Sequence, residues 1–170
     1  MLTMPPSNGL FETYTRSAFR LETRQIYNMP NEQENFNKFL RGEPYDDMKY
    51  STDWRNLVSA NIAAGKTMQR AKLVRRPYTD YTRWLLTIGV PRNTKAGEDY
   101  RIVDITDREL DLPDLDFWLF DESTVLLLHF NDDNTLRDRE VLENPPDLAK
   151  YLAWRDYALE HSVPFSEYSA

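Results

Sequence analysis

Three aspartates are the first residues whose type and spacing invite chemistry. In "DLPDLDFWLFDESTVLLLHF", residues 111–130, Asp114 and Asp116 stand two apart and Asp121 follows. Residues i and i+2 of an extended segment project the same way, so Asp114 and Asp116 can share a hard divalent cation between carboxylate oxygens. With Asp121 as a third ligand, such a site would suit a metal-dependent phosphoesterase or transferase-like reaction. The competing reading of "DLPDLDF" is a solvated acidic turn ahead of a buried strand. Because a DxD spacing recurs often by chance, that second reading is preferred.

Other chemistry is sparse. The chain has no cysteine and two histidines, which excludes a disulfide framework and any thiolate site and leaves little room for a histidine-built metal centre. His129 lies in an apolar run and is expected to be a buried, hydrogen-bonded structural residue. His161, near the end of the last helix, is expected to complement the helix dipole. The five glycines form neither a GxGxxG nor a Walker loop, so no cofactor is implied.

Charge is unevenly distributed. The net −7 divides into −1 over residues 1–64, +6 over 65–101 and −12 over 102–170. Lys66, Arg70, Lys72, Arg75, Arg76 and Arg83 stand near Tyr78, Tyr81 and Trp84, a mixture that suits stacking on single-stranded nucleic acid. The acidic C-terminal third would repel phosphate, so direct nucleic-acid binding is the lesser reading. Docking to a protein is preferred, through Arg70, Lys72, Arg75, Arg76 and Arg83. Trp154, set off the inner stripe of the last helix, joins them as an interface anchor.

The elements that must position these residues follow from periodicity and punctuation. At 170 residues the chain fits one domain, 1–170, with 1–9 as a loose arm. A short helix is expected within 11–19, then an extended stretch at 20–23. Asn31 reads as the N-cap of a helix that Gly42 ends, and 43–50 as an acidic loop. A helix with Trp54, Leu57, Val58 and Ile62 on one face runs to Gly65. "KTMQRAKLVRRP" reads as a strand, Thr79 caps the next helix, "PRNTKAGED" reads as a loop, and "YRIVDI" is a second strand. The runs 117–120 and 125–130 form a hairpin covered on both faces, 136–142 is an edge strand, and Pro145–Pro146 open the last helix. The architecture predicted is α/β: a single domain with a mixed sheet of about five strands and packed helices. No stretch is apolar enough to span a membrane and no leader pattern is seen, so a cytoplasmic location is expected.

The stretches "AFRLETRQIY", "FLRGEP", "KLVRRPYTDYTRW", "PRNTKAGEDYRIVD", "LPDLDFWLFDESTV" and "YLAWRDYALEHSVPF" resemble an uncharacterised actinobacterial family encoded beside helix-turn-helix regulators. That resemblance implies a non-catalytic regulatory role, with a helix-turn-helix regulator as protein partner. More distantly, helix–Gly–strand, a second strand ending in aspartate and a hairpin resemble half of a phospholipase D-type α/β domain. On that superfamily's histidine–any–lysine–four–aspartate motif, Asp114 takes the histidine position, Asp116 the lysine position and Asp121 the aspartate. The Gly-Ser-any-Asn element falls on Leu128, His129, Phe130 and Asn131, so only Asp121 and Asn131 match. The resemblance therefore implies a scaffold in which carboxylates replace the nucleophile and the phosphate-holding ammonium.

Overall fold

The computed structural model describes residues 9–44 and 49–168. In chain order these form α1 (Leu10–Thr13), β1 (Ser17–Glu22), a 3-10 turn (Pro30–Glu32) leading into α2 (Gln33–Leu40), α3 (Lys49–Ala63) and β2 (Thr67–Val74). There follow α4 (Asp80–Trp84), a π turn (Leu85–Gly89), α5 (Val90–Ala96), β3 (Asp99–Asp104), β4 (Asp116–Phe120), β5 (Thr124–Phe130) and β6 (Leu136–Glu143). The chain closes with α6 (Leu148–Glu160), β7 (Val163–Pro164) and a 3-10 turn (Phe165–Glu167). The expected arm at 1–9 lies outside the described residues except for Gly9, and so does much of the expected loop at 43–50.

One mixed sheet holds all seven strands in the order β6-β5-β4-β1-β2-β3-β7. Strands β1, β2 and β3 are parallel, and every other pairing is antiparallel. The parallel pairs are joined by helical crossovers, α2–α3 and α4–α5, as parallel geometry requires. The single α/β domain with packed helices is as the sequence predicts, with two strands more. β1 is a central strand rather than a short extended stretch, because its charged Arg20 and Glu22 are buried where periodicity reads them as solvated. β7 has two residues, too few to carry a periodicity.

Both faces of the sheet are covered, which explains the unbroken apolar runs of β4 and β5. On one face Phe19, Leu21, Leu73, Val103, Phe117 and Leu127 pack with Tyr151 and Ala158 of α6. On the other, Ala18, Met68, Trp118, Phe120 and Leu126 pack with Phe11 of α1 and Trp54 and Val58 of α3. The β4–β5 hairpin closes with Asp121 at φ 53 and Glu122 at φ 57, and Ser123 N donates to the Phe120 carbonyl at 3.0 Å. Positive φ at both central residues makes this a type I′ turn, the geometry that matches strand twist.

Local signals are realised unevenly. Thr79 Oγ1 caps α4 by accepting from Thr82 N at 3.0 Å. Asn31 does not cap α2, since the chain enters that helix through the 3-10 turn begun by Pro30. The short helix expected within 11–19 stops at Thr13. "PRNTKAGED" is largely helix α5 rather than loop: Pro91 sits in its first turn, where a missing N–H costs little.

Gly97 joins α5 to β3 at φ 121, and a Cβ there would stand 2.8 Å from Ile62 Cγ1 of α3. Gly97→Ala is expected to lower stability by about 1–3 kcal/mol, through backbone strain and overpacking together. Gly42→Ala, also at positive φ but with open space around the added atom, should lose less. Urea midpoints at an unchanged denaturant slope would measure both.

Candidate functional site

Strand alternation places a lattice of charge on the face opposite α6. β1 supplies Arg20 and Glu22, β2 supplies Arg70 and Lys72, β4 supplies Asp116, and Glu98 precedes β3. All six are 7% exposed or less. The register sets Arg20 beside both Arg70 and Trp118, Arg70 beside Tyr100, and Glu22 beside Lys72. Two guanidinium groups directly opposite each other would repel. Carboxylates resolve this: Asp116 Oδ2 lies 2.8 Å from Arg20 Nη2, Glu22 Oε1 3.2 Å from Arg70 Nη1, and Glu98 Oε1 2.6 Å from Arg70 Nε.

Neutral donors complete the lattice. Asp116 also accepts from Thr23 N and Oγ1, at 3.0 and 2.6 Å, and from the Tyr27 hydroxyl at 2.5 Å. Tyr100 donates its hydroxyl to Glu22 at 2.8 Å. Lys72 Nζ donates to the Arg24 carbonyl at 3.2 Å and lies 5.2 Å from the centre of the Tyr27 ring. Burial would raise the Glu22 pKa, but Arg20, Lys72 and Arg70, with the Tyr100 hydrogen bond, hold it down at about 2. Burial lowers Lys72, against the pull of Glu22 and Asp116. The Tyr27 and Tyr100 hydroxyls are pushed well up, first by burial and then by neighbouring carboxylates.

Above this lattice lies a cavity of about 140 Å³, with the sheet as floor and residues of α2, α3, α4, the π turn and α5 as roof. Arg20, Arg55, Arg70, Arg92 and Arg139 reach its wall, against the carboxylates Glu22 and Glu32. Aromatic side chains fill the spaces between. The Arg70 guanidinium carbon lies 5.1, 5.5 and 5.6 Å from the ring centres of Trp118, Trp54 and Tyr100, within cation–π range. Trp54 and Trp84, both wall residues, carry buried indole N–H groups without an acceptor. Burial and the nearby Arg20 push the Arg139 pKa down to about 10. Leu85, Ile88 and Gly89 bring the π turn onto the wall. Such turns are frequent at functional sites.

The residues expected from sequence are not brought together. Arg70 and Lys72 are buried, so the exposed basic face loses its first two members, which belong to the lattice. Arg75, Arg76 and Arg83 are exposed. Arg75 Nη1 donates to the Ile105 carbonyl at 3.3 Å. Arg76 is held by the Tyr168 hydroxyl at 3.0 Å and Asp104 at 3.2 Å. Arg83 pairs with Asp80 at 2.9 Å. Trp154 is half-buried, its ring 5.4 Å from Tyr151 and 6.2 Å from Phe117, so much of it packs inward.

The aspartate cluster also separates. Asp116 and Asp121 lie at opposite ends of β4, roughly 16 Å apart at strand rise, while Asp114 is exposed before it. Asp121 Oδ1 accepts from Arg16 N and Ser17 N at 2.7 and 3.0 Å, and its Oδ2 from Thr15 N at 2.9 Å. Burial would raise its pKa, but those bonds lower it. Among the described residues no group of three or more His, Asp or Glu could hold a metal ion. His129 is half-buried, with Nε2 3.3 Å from Glu140, and His161 is the C-cap of α6.

Sequence reasoning missed Arg20, Glu22, Tyr27, Trp54, Glu98 and Arg139. A signal was present: "RLE" at 20–22 and "RAK" at 70–72 each put two charges on one face of a strand bounded by apolar residues.

Fold and site together define a single α/β domain with a mixed sheet, bearing a buried ion-pair lattice beneath an aromatic and arginine-lined cavity. The model of a domain of unknown function, DUF6879, matches residues 6–170, and the chain belongs to that family. The solved structures to which it is similar include these two. With NucT from Helicobacter pylori it shares 12% identity at a TM-score of 0.46, over 92% of this chain and 89% of the other. With phosphatidylserine synthase from Haemophilus influenzae Rd KW20 it shares 9% identity at a TM-score of 0.46, over 95% of this chain and 37% of the synthase. No curated protein matches the chain by sequence. No helix among the described residues is long and apolar enough to cross a membrane.

Two outcomes test the lattice. Asp116→Ala strands Arg20 in the interior and should cost about 3–5 kcal/mol, whereas Arg20→Met with Asp116→Leu should recover most of that. Denaturation at pH 7 of the single and double variants measures the difference. Glu22, held at about 2 against 4.5 when unfolded, contributes stability that is whole above pH 4.5 and drains away as pH falls toward 2. The loss from this group is roughly 3 kcal/mol. Urea midpoints across that window should fall less steeply in Glu22→Gln than in the wild type.

Proposed function

We propose that the domain is a non-catalytic regulatory binding module, which takes a small ligand into the cavity and presents its state to a protein partner. The cavity is the observation that carries this reading: a concave space with aromatic walls and a few convergent polar groups is a common form of ligand site. Dispersal of Asp114, Asp116 and Asp121 favours binding over the metal-dependent phosphoesterase or transferase alternative. A helix-turn-helix regulator in an actinobacterial cytoplasm is the partner and setting proposed. Helix α4 offers the link, since Tyr81 and Trp84 line the cavity while Arg83 on the same helix faces outward.

Native mass spectrometry after exposure to a metabolite extract tests the ligand half. The wild type should capture a small molecule, and Leu128→Trp, which fills the cavity, should capture none while keeping its circular dichroism spectrum. Equal capture by both would sink the reading. For the partner half, Arg75→Glu with Arg83→Glu should abolish co-purification with the regulator yet leave ligand capture intact.

A further inference from the structure

Building on that reading of the cavity, we propose that its ligand is a small aromatic acid, one planar ring bearing a carboxylate. Size sets the first limit. A volume of about 140 Å³ is close to that of an apolar cavity that accepts a benzene ring, roughly 150 Å³. The wall chemistry sets the second. Trp54 of α3, Tyr81 and Trp84 of α4 and Phe130 of β5 reach the cavity from three separate elements, so a planar ring meets faces and edges in the arrangements aromatic groups prefer. The indole N–H groups of Trp54 and Trp84, buried in wall residues without an acceptor, are well placed to report a change in the cavity's contents.

Charge sets the third limit. Arg139 on β6 is opposite Leu128, which is opposite Asp116, so Arg139 shares the cavity face with the Arg20–Asp116 pair. Burial and Arg20 both disfavour the Arg139 cation, and a ligand carboxylate beside Arg139 on the cavity wall would favour it. Arg92 approaches the same space from α5. Of the two wall carboxylates, Glu22 is engaged by Arg70 and Tyr100, and Glu32 accepts from the Tyr81 hydroxyl at 3.0 Å. Guanidinium binds a carboxylate through two parallel hydrogen bonds, a planar geometry that suits a flat acid.

The test follows the indole N–H signals of Trp54 and Trp84 by NMR during titration with benzoate, benzamide, cyclohexanecarboxylate and inorganic phosphate. Benzoate should move both signals and saturate at a concentration at least tenfold below the other three. Arg139→Met should weaken benzoate at least tenfold and leave benzamide unchanged; if that variant does not fold, Arg92→Met serves for the same comparison. If benzamide or cyclohexanecarboxylate saturates as readily as benzoate while moving both signals, the cavity reading survives and the aromatic-acid class is overturned. If phosphate matches benzoate, the ring plays no part and the class is overturned as well. If none of the four moves either signal, the ligand cavity itself falls.

Discussion

Six buried charges on the central strands govern the rest of the molecule. An isolated ion in an interior is costly, and only well-made pairs and added hydrogen bonds offset the loss of water. Arg20, Arg70 and Lys72 therefore need Glu22, Glu98 and Asp116, and each strand must present its charges at one register. A slip of one residue in β1 would turn Arg20 and Glu22 into the apolar layer under α6. The lattice thus fixes which strands are neighbours and which face each presents. It also obliges α1, α3 and the α4–α5 crossover to cover a face that is partly polar, and the cavity forms where that cover meets charge.

The two faces divide the work. The face under α6 is apolar, with the Phe117 ring in contact with those of Phe19 and Tyr151. The other holds cations, rings and space. Between them, Asp121 ties the hairpin turn to the start of β1 by accepting from three consecutive backbone N–H groups. The aspartate whose spacing suggests a metal ligand is instead an anchor for the strand that carries Arg20 and Glu22.

Much of the fold was legible in the sequence. The helix before Gly65, the cap at Thr79, the hairpin around Asp121 and the last helix all follow from local rules that tertiary structure left intact. The site was far less legible. Charged residues in strands read as solvated by default, so Arg70 and Lys72 read as surface residues and Arg20 and Glu22 as part of no site. Their burial depends on partners 28 to 96 residues away, and alternation along a strand can place two charges on one face without saying which distant residues pair with them. The same reason hid β7, which exists only because β3 offers it an edge.

The π turn from Leu85 to Gly89 sits between two regular helices. Such a turn contains one residue more than an α turn. Deleting a residue there would let the helix regularise and swing Arg92 and Asn93 about 100° around its axis, away from the cavity. What the segment preserves is thus a count as much as a composition. Divergent members of the family that retain the chamber should tolerate exchanges of side chain across this stretch far better than a single-residue gap.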